Sequence, residues 1–427
     1  MLSIFRQKKI QTCVLLCLAF TNLGMCDELC ADLSVILNFE EAYNYALLNN
    51  IKTMATEVDA DIRQAERRQV GLYPNPEFNI SLDGPSNGTS WNSSGNDISI
   101  GITQLFELGG KRKARIHVAE AAQDETNWSL EIAKCDLYAE VMHAFVNTAV
   151  AQERLILAKD FQEIAEQSLN CITCKTSCGK APLLDTKKAE ISLKMAKIIF
   201  NKRLSELQRT KIQLSSLWNS NEPQFERVEF KLFAIEPPLP YHQLAEEIEN
   251  NPELARAHAE VSKAWKIIKL EHAKRIPNMA IYVGVSTSRN FHDPALSLAV
   301  NIPLPIFDRN QGNIERADFE LNQVMLKQVD LINKLKVRLK VVYREWNTAY
   351  LQVADLKEII ETSATDAFKL AEERYAIGNS SFLDFLDARA TLFMIRQQYL
   401  DAVEEYHHKQ TEIIQLLAKC CSEVING

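Results

Sequence analysis

At 427 residues the chain is long enough for two or three ordinary domains, and a balance of 24% charged to 46% hydrophobic residues excludes both a disordered chain and a helical integral membrane protein. The net charge of −8 argues against nucleic acid as a partner. No nucleophile elbow, P-loop, HExxH or Gly-rich dinucleotide loop occurs, so nothing points to an enzyme and no cofactor is expected.

Residues 1–26 have a secretory signal layout. Arg6, Lys8 and Lys9 precede the apolar run from Val14 to Phe20, which is too short to span a bilayer. The segment ends Leu23-Gly24-Met25-Cys26, similar to a bacterial lipobox in which Cys26 would be lipidated; ordinary cleavage nearby is the alternative. No later segment offers 18 consecutive apolar residues. Entry into a membrane would therefore require a β-barrel.

Four segments alternate with period two: about 77–83, 97–104, 279–286 and 295–302. Each places aliphatic or aromatic residues on one face and small or polar residues on the other, as in Phe78-Asn79-Ile80-Ser81-Leu82 and Leu296-Ser297-Leu298-Ala299-Val300. A sheet against a protein core would read the same way, but the rest of the chain reads as long helix and leaves no second apolar layer. Lipid on one face and a watery lumen on the other fits better. Gly84–Asn96, rich in Gly, Ser and Asn, reads as an exposed loop. Four strands cannot close a membrane barrel, so the chain is expected to oligomerise.

Two stretches, Ala114–Ser177 and Ile314–Ile377, run 64 residues each without Gly or Pro. As helices they would be roughly 95 Å long, far beyond the ordinary globular helix. Each ends at a lone glycine, Gly179 or Gly378, suited to the left-handed helix end, and turns back into a shorter breaker-free run. Asn379 or Ser380 would cap the second return helix. From Leu335 a heptad seam runs through Leu339, Val342, Trp346, Ala349, Val353, Leu356 and Ile360. The equivalent positions of the first copy, Cys135 to Asp160, are weaker and turn polar at Glu153 and Asp160.

The chain is a tandem duplication. Asn49-Asn50 matches Asn250-Asn251, Pro74-Asn75 matches Pro277-Asn278, and Leu184-Asp185 matches Leu383-Asp384, at offsets of 201, 203 and 199 residues. The first repeat is placed at 37–220 with a helical hairpin at 113–220, and the second at 241–420 with a hairpin at 311–420; residues 221–240 link them.

Cys171, Cys174 and Cys178 share one helix face just before the tip, where thiolates could hold a soft metal, or stay inert or disulfide-bonded. The run Glu404-Glu405-Tyr406-His407-His408 is a weaker cation candidate, with an exposed helical face as the plain reading. Cys420-Cys421 carries no reading.

At this point the residues resemble the TolC family of outer-membrane efflux proteins. The likeness rests on Tyr73-Pro74-Asn75-Pro76, Phe106-Glu107-Leu108-Gly109-Gly110-Lys111-Arg112, Pro303-Leu304-Pro305-Ile306-Phe307-Asp308-Arg309 and the two Gly-to-Asp turns, in order within the duplicated frame. The Phe-Glu-Leu-Gly-Gly-Lys-Arg stretch is most similar to the heavy-metal (CzcC-like) branch. The resemblance implies an α+β membrane protein. It would be a homotrimer whose four strands per chain close a β-barrel continuous with a long periplasmic α-helical barrel. It also implies a passive exit duct in outer-membrane lipid, joined through a periplasmic adaptor to an inner-membrane pump of RND type. The expected cargo is heavy-metal cations, with multidrug efflux or type I secretion as alternatives. The tips at Gly179 and Gly378, with Lys175 and Arg374, would dock the adaptor. Asp384, Asp387 and Asp185 would form a pore constriction, although acids in a first helical turn also suit the helix dipole. A coiled-coil adhesin or envelope spacer is the reading from a different class; it has no need of lipid-facing strands.

Overall fold

A computed structural model describes residues 36–83, 97–287 and 294–418. The signal segment with Cys26, the loop Gly84–Asn96 and Cys420-Cys421 lie outside the described residues. In chain order the elements are β1 (Ile36–Leu37), α1 (Phe39–Asn49), α2 (Ile51–Val70), β2 (Glu77–Asp83), β3 (Asp97–Phe106), α3 (Lys111–Ser177) and α4 (Leu183–Ser216). The second half follows with β4 (Arg227–Val228), α5 (Tyr241–Glu247), α6 (Pro252–Lys274), β5 (Met279–Thr287), β6 (Ala295–Asn301), α7 (Gln311–Ile359), α8 (Thr365–Ala376) and α9 (Phe382–Leu416).

The 67 residues of α3 form one unbroken helix about 100 Å long. Its counterpart does not. A π-helical turn at Ile360–Ala364 separates α7 from α8. A π turn needs neither Gly nor Pro, so the breaker-free run gave no sign of it. Hydroxyls occupy carbonyls around the irregular turn: Thr362 Oγ1 donates to the Glu358 carbonyl at 2.8 Å and Thr365 Oγ1 to the Ile360 carbonyl at 2.7 Å.

The second seam is buried as its spacing predicts, from Leu335 through Leu339, Val342, Trp346 and Ala349 to Val353. In the first hairpin the expected positions Cys135, Ala139, Val146 and Ala149 are buried as well, and the phase changes beyond them. Ala151, Ala158, Ala165 and Ile172 recur every seven residues on α3 and are all buried, as are Ala189 and Ala196 on α4. Small residues let two backbones approach closely, and alanine carries little hydrophobic signal, so this seam is not visible as a stripe of large side chains. The expected positions Ile156 and Asp160 are exposed.

The duplication extends to single hydrogen bonds. Asn50 caps α2 by accepting from the Lys52 and Thr53 amides, and its Nδ2 donates to the Leu217 carbonyl at the end of α4, at 2.9 Å. Asn251 caps α6 by accepting from the Glu253 and Leu254 amides, and its Nδ2 donates to the Leu416 carbonyl at the end of α9, again at 2.9 Å. Each buried asparagine thus satisfies orphan groups at the start of one helix and the end of another.

The linker crosses the middle of the helical column. β4 pairs in parallel with β1. Gln152 of α3 brackets Val228, accepting from its amide at 2.8 Å and donating to its carbonyl at 3.1 Å. From α9, Tyr406 donates to the Glu236 carbonyl at 2.7 Å.

Candidate functional site

Two ends of the molecule carry the features that can act: the sheet and the helical tips. The sheet is antiparallel in the order β2-β3-β5-β6. Its register brings Phe78, Ile102, Val283 and Leu298 into one row across all four strands, and Ile80, Ile100, Val285 and Leu296 into another. All eight side chains are exposed, Leu298 to 70%. The opposite face carries Asn79, Ser81, Ser99, Ser286 and Ser297. Here Asn79 Nδ2 donates to Thr103 Oγ1 at 2.8 Å, Ser81 and Ser99 share a hydrogen bond of 2.5 Å, and Ser286 and Ser297 share one of 3.2 Å. Tyr282 lies flat on this face across Gly101 and Gly284; a Cβ at either glycine would overlap its ring.

The sheet-to-helix junction explains the Phe-Glu-Leu-Gly-Gly-Lys-Arg stretch. Gly109 and Gly110 both sit in the left-handed region, with φ of 72° and 71°. They swing the chain into α3, where Lys111 donates to Asn278 Oδ1 of the second repeat. Arg112 Nε donates to the Gly71 carbonyl at 2.6 Å, and Arg115 grips Glu107 with both Nη atoms. The role of this motif is to fix the helix on the sheet.

At the far end the two tips are near copies. Gly179 and Gly378 take φ of 70° and 83°. The Lys180 amide donates to the Lys175 carbonyl and the Asn379 amide to the Arg374 carbonyl, both at 2.8 Å, while each glycine amide donates one turn back. This is the Schellman pattern. The tips also pack on each other: Ile172, Ala189, Phe382 and Phe385 form a small core. Lys175 Nζ lies 4.0 Å over the Tyr375 ring and donates to the Tyr375 carbonyl, whereas Arg374 is exposed.

Ser381, rather than Asn379 or Ser380, caps α9. Its hydroxyl accepts from the Asp384 amide at 3.1 Å and its own amide donates to Asp384 Oδ2 at 3.0 Å, a capping box. The Ser381 side chain, then its amide, and Ser380 Oγ hold the Asp384 carboxyl below its ordinary pKa. Asp384 therefore has a structural task already. Asp387, one turn on, is exposed and outside the cap. Asp185, half-buried, takes the Asp384 position in the first hairpin, but there Pro182 stands at the cap and no side chain closes it.

The run Glu404–His408 is not an exposed face. His407 bonds the Leu232 carbonyl at 2.8 Å, and Glu404 accepts from Arg154 of α3 at 2.6 Å. Arg154 also meets Asp401 of α9 and Glu206 of α4. His408 Nδ1 faces His143 Nδ1 of α3 at 2.6 Å, one ring donating and the other accepting. Burial, then the neighbouring His408, pushes the pKa of His143 down to about 4, so it stays neutral at neutral pH. These side chains tie the two hairpins together. Sequence reasoning missed the His pair because its members stand 265 residues apart. Cys171, Cys174 and Cys178 are exposed and not disulfide-bonded. Among the described residues no group of three His, Cys, Asp or Glu is gathered to hold a metal ion.

A sheet with an apolar belt on one face and a small polar surface on the other, leading into a helix about 100 Å long, has the parts of a membrane β-barrel wall continuous with a helical column. The profile of the outer membrane efflux protein family matches residues 42–220 and 244–419, and the chain belongs to that family. The resemblance to TolC-type proteins is therefore correct, and the chain is an outer-membrane efflux channel, a passive duct rather than an enzyme. It is 28% identical over 388 residues to the cobalt-zinc-cadmium resistance protein CzcC of Cupriavidus metallidurans, covering 90% of each chain. It is 25% identical over 253 residues to the nickel-cobalt-cadmium resistance protein NccC of Alcaligenes xylosoxydans xylosoxydans, covering 59% of this chain and 57% of that one. The Campylobacter jejuni CmeC outer membrane channel shares the fold with a TM-score of 0.75 at 15% identity, covering 89% of this chain and 85% of that one.

Proposed function

We propose that three copies of this chain form the exit duct of a tripartite system that expels heavy-metal cations. The observation that carries the assembly is the pair of unsatisfied sheet edges, β2 and β6. Bilayer hydrocarbon offers their amides and carbonyls no partner, so neighbouring copies must supply it. Three four-stranded sheets give twelve strands, above the eight at which membrane barrels begin. The cargo reading draws support from the similarity to CzcC and NccC. An adaptor docks on the tips around Gly179 and Gly378, with Lys175 and Arg374 beside it, and an inner-membrane pump of RND type supplies the energy. Deleting the gene should sensitise the parent bacterium to cobalt, zinc or cadmium, with recovery on re-expression. Sensitivity confined to organic drugs, or loss of a secreted protein instead, would move the cargo to the multidrug or type I alternative.

Within this reading Asp387, Asp384 and Asp185 ring the periplasmic mouth and concentrate cations there. Because Asp384 is bound up in its cap, Asp387→Ala is the cleaner test. It should leave thermal stability unchanged while lowering cation selectivity in planar-bilayer recordings. Asp384→Ala should in addition lower the stability of the tip, because the Ser381 amide loses its carboxylate partner. Unaltered selectivity in the Asp387→Ala/Asp384→Ala pair would remove the ring.

A further inference from the structure

The three tip cysteines stand outside everything assigned above. Cys171 and Cys174 lie in the last two turns of α3 and Cys178 just past its end, and all three are exposed while Ile172 between them is buried. The scaffold beneath them is fixed. Ile172 is locked among Ala189, Phe382 and Phe385, and Lys175 is held on the Tyr375 ring. Cys178 stands one residue past the helix but keeps its register, because its amide still donates to the Cys174 carbonyl at 3.2 Å.

Spacing decides what such a ladder can hold. Helical neighbours three or four residues apart have Cβ atoms about 5–6 Å apart. A disulfide needs about 3.5–4.5 Å, so neither adjacent pair can close one on this helix. A metal ion between two sulfurs is less demanding. With metal–sulfur bonds of about 2.3 Å, a linear S–M–S unit spans about 4.6 Å, which two side chains on one face can reach. Cys171 and Cys178 are seven residues apart, about 10 Å along the axis, and cannot share one ion. Thiolates select soft ions. Tetrahedral zinc would need further ligands, and no group of three is gathered among the described residues.

We propose that Cys171, Cys174 and Cys178 form a surface site for one two-coordinate soft cation, Cu(I) or Ag(I), in which Cys174 is the thiol common to both ways of binding. Cys174 pairs with Cys171 in one and with Cys178 in the other. On binding, two S–H bonds break, two S–M bonds form and two protons pass to water; no oxidation state changes. The resulting unit carries one negative charge. The site stands independently of the cargo assigned to the duct, because its ligands lie on one helix of one chain.

The test is an anaerobic competition in which the purified full chain withdraws Cu(I) from its coloured bathocuproine disulfonate complex. Wild type should take up one more equivalent per chain than Cys174→Ser. Cys171→Ser and Cys178→Ser should each retain that equivalent, since each leaves one adjacent pair. Cys174→Ala, with unchanged helical circular dichroism, should behave as Cys174→Ser does. Retention of the equivalent by both Cys174 variants would overturn the proposal. Equal loss in all three serine variants would replace it with a three-thiolate site, and no excess in wild type would remove the site altogether.

Discussion

Replacing Leu298 by lysine is expected to prevent assembly in the outer membrane, while Ser297→Lys next to it leaves assembly largely intact. Leu298 stands midway along β6, in the row with Phe78, Ile102 and Val283, and its side chain projects freely from the apolar face. A lysine on the lipid face near mid-bilayer costs about 2–4 kcal/mol. Three copies would each carry that penalty at the same depth. Ser297 points to the other face, opposite Gly284 and bonded to Ser286, where water can solvate an ammonium group. Outer-membrane fractionation followed by unheated gel electrophoresis of the oligomer would separate the two variants. Equal loss in both would mean that the faces have been exchanged, since a one-residue error in strand phase swaps every side chain between lipid and lumen.

Gly378→Val should abolish export without disturbing the barrel. The glycine has φ of 83°, and a Cβ built there meets nothing within 4 Å, so the penalty lies wholly in the backbone. The left-handed region costs an ordinary residue roughly 1–2 kcal/mol, and a β-branched one is worse placed still. The chain would escape by reshaping the turn, losing the hydrogen bond from the Asn379 amide to the Arg374 carbonyl. The sheet, most of a 100 Å column away, should still assemble. Metal sensitivity equal to that of a deletion strain, together with loss of adaptor cross-linking, is the expected result. Gly378→Asn should restore much of both, because asparagine tolerates this conformation. Full export by the valine variant would take the docking role away from this tip.

Local signals made the ends of the molecule legible. Strand alternation placed the third strand at 279–286, where the sheet has Met279–Thr287, and the lone glycines marked both left-handed turns. The middle of the column was harder to read. An alanine heptad such as Ala151, Ala158 and Ala165 works through close backbone approach, which a search for large apolar side chains passes over. The π turn at Ile360–Ala364 has no breaker residue to announce it. The His143–His408 contact depends on how two hairpins dock, which no local window contains. Asp384 had two candidate roles; Ser381-x-x-Asp384 is itself a capping-box pattern, and the structure places the carboxylate in that box.

The two open sheet edges carry a genetic consequence. If no barrel exists until three chains contribute their strands, a faulty subunit is not simply idle: it occupies a place in a shared wall. In a cell making sound and Leu298→Lys chains equally, random mixing leaves only about one trimer in eight free of the defect. Alleles that damage the sheet should therefore be dominant over a wild-type copy. Alleles that stop a chain from being made should be recessive, because they leave the remaining subunits to assemble among themselves.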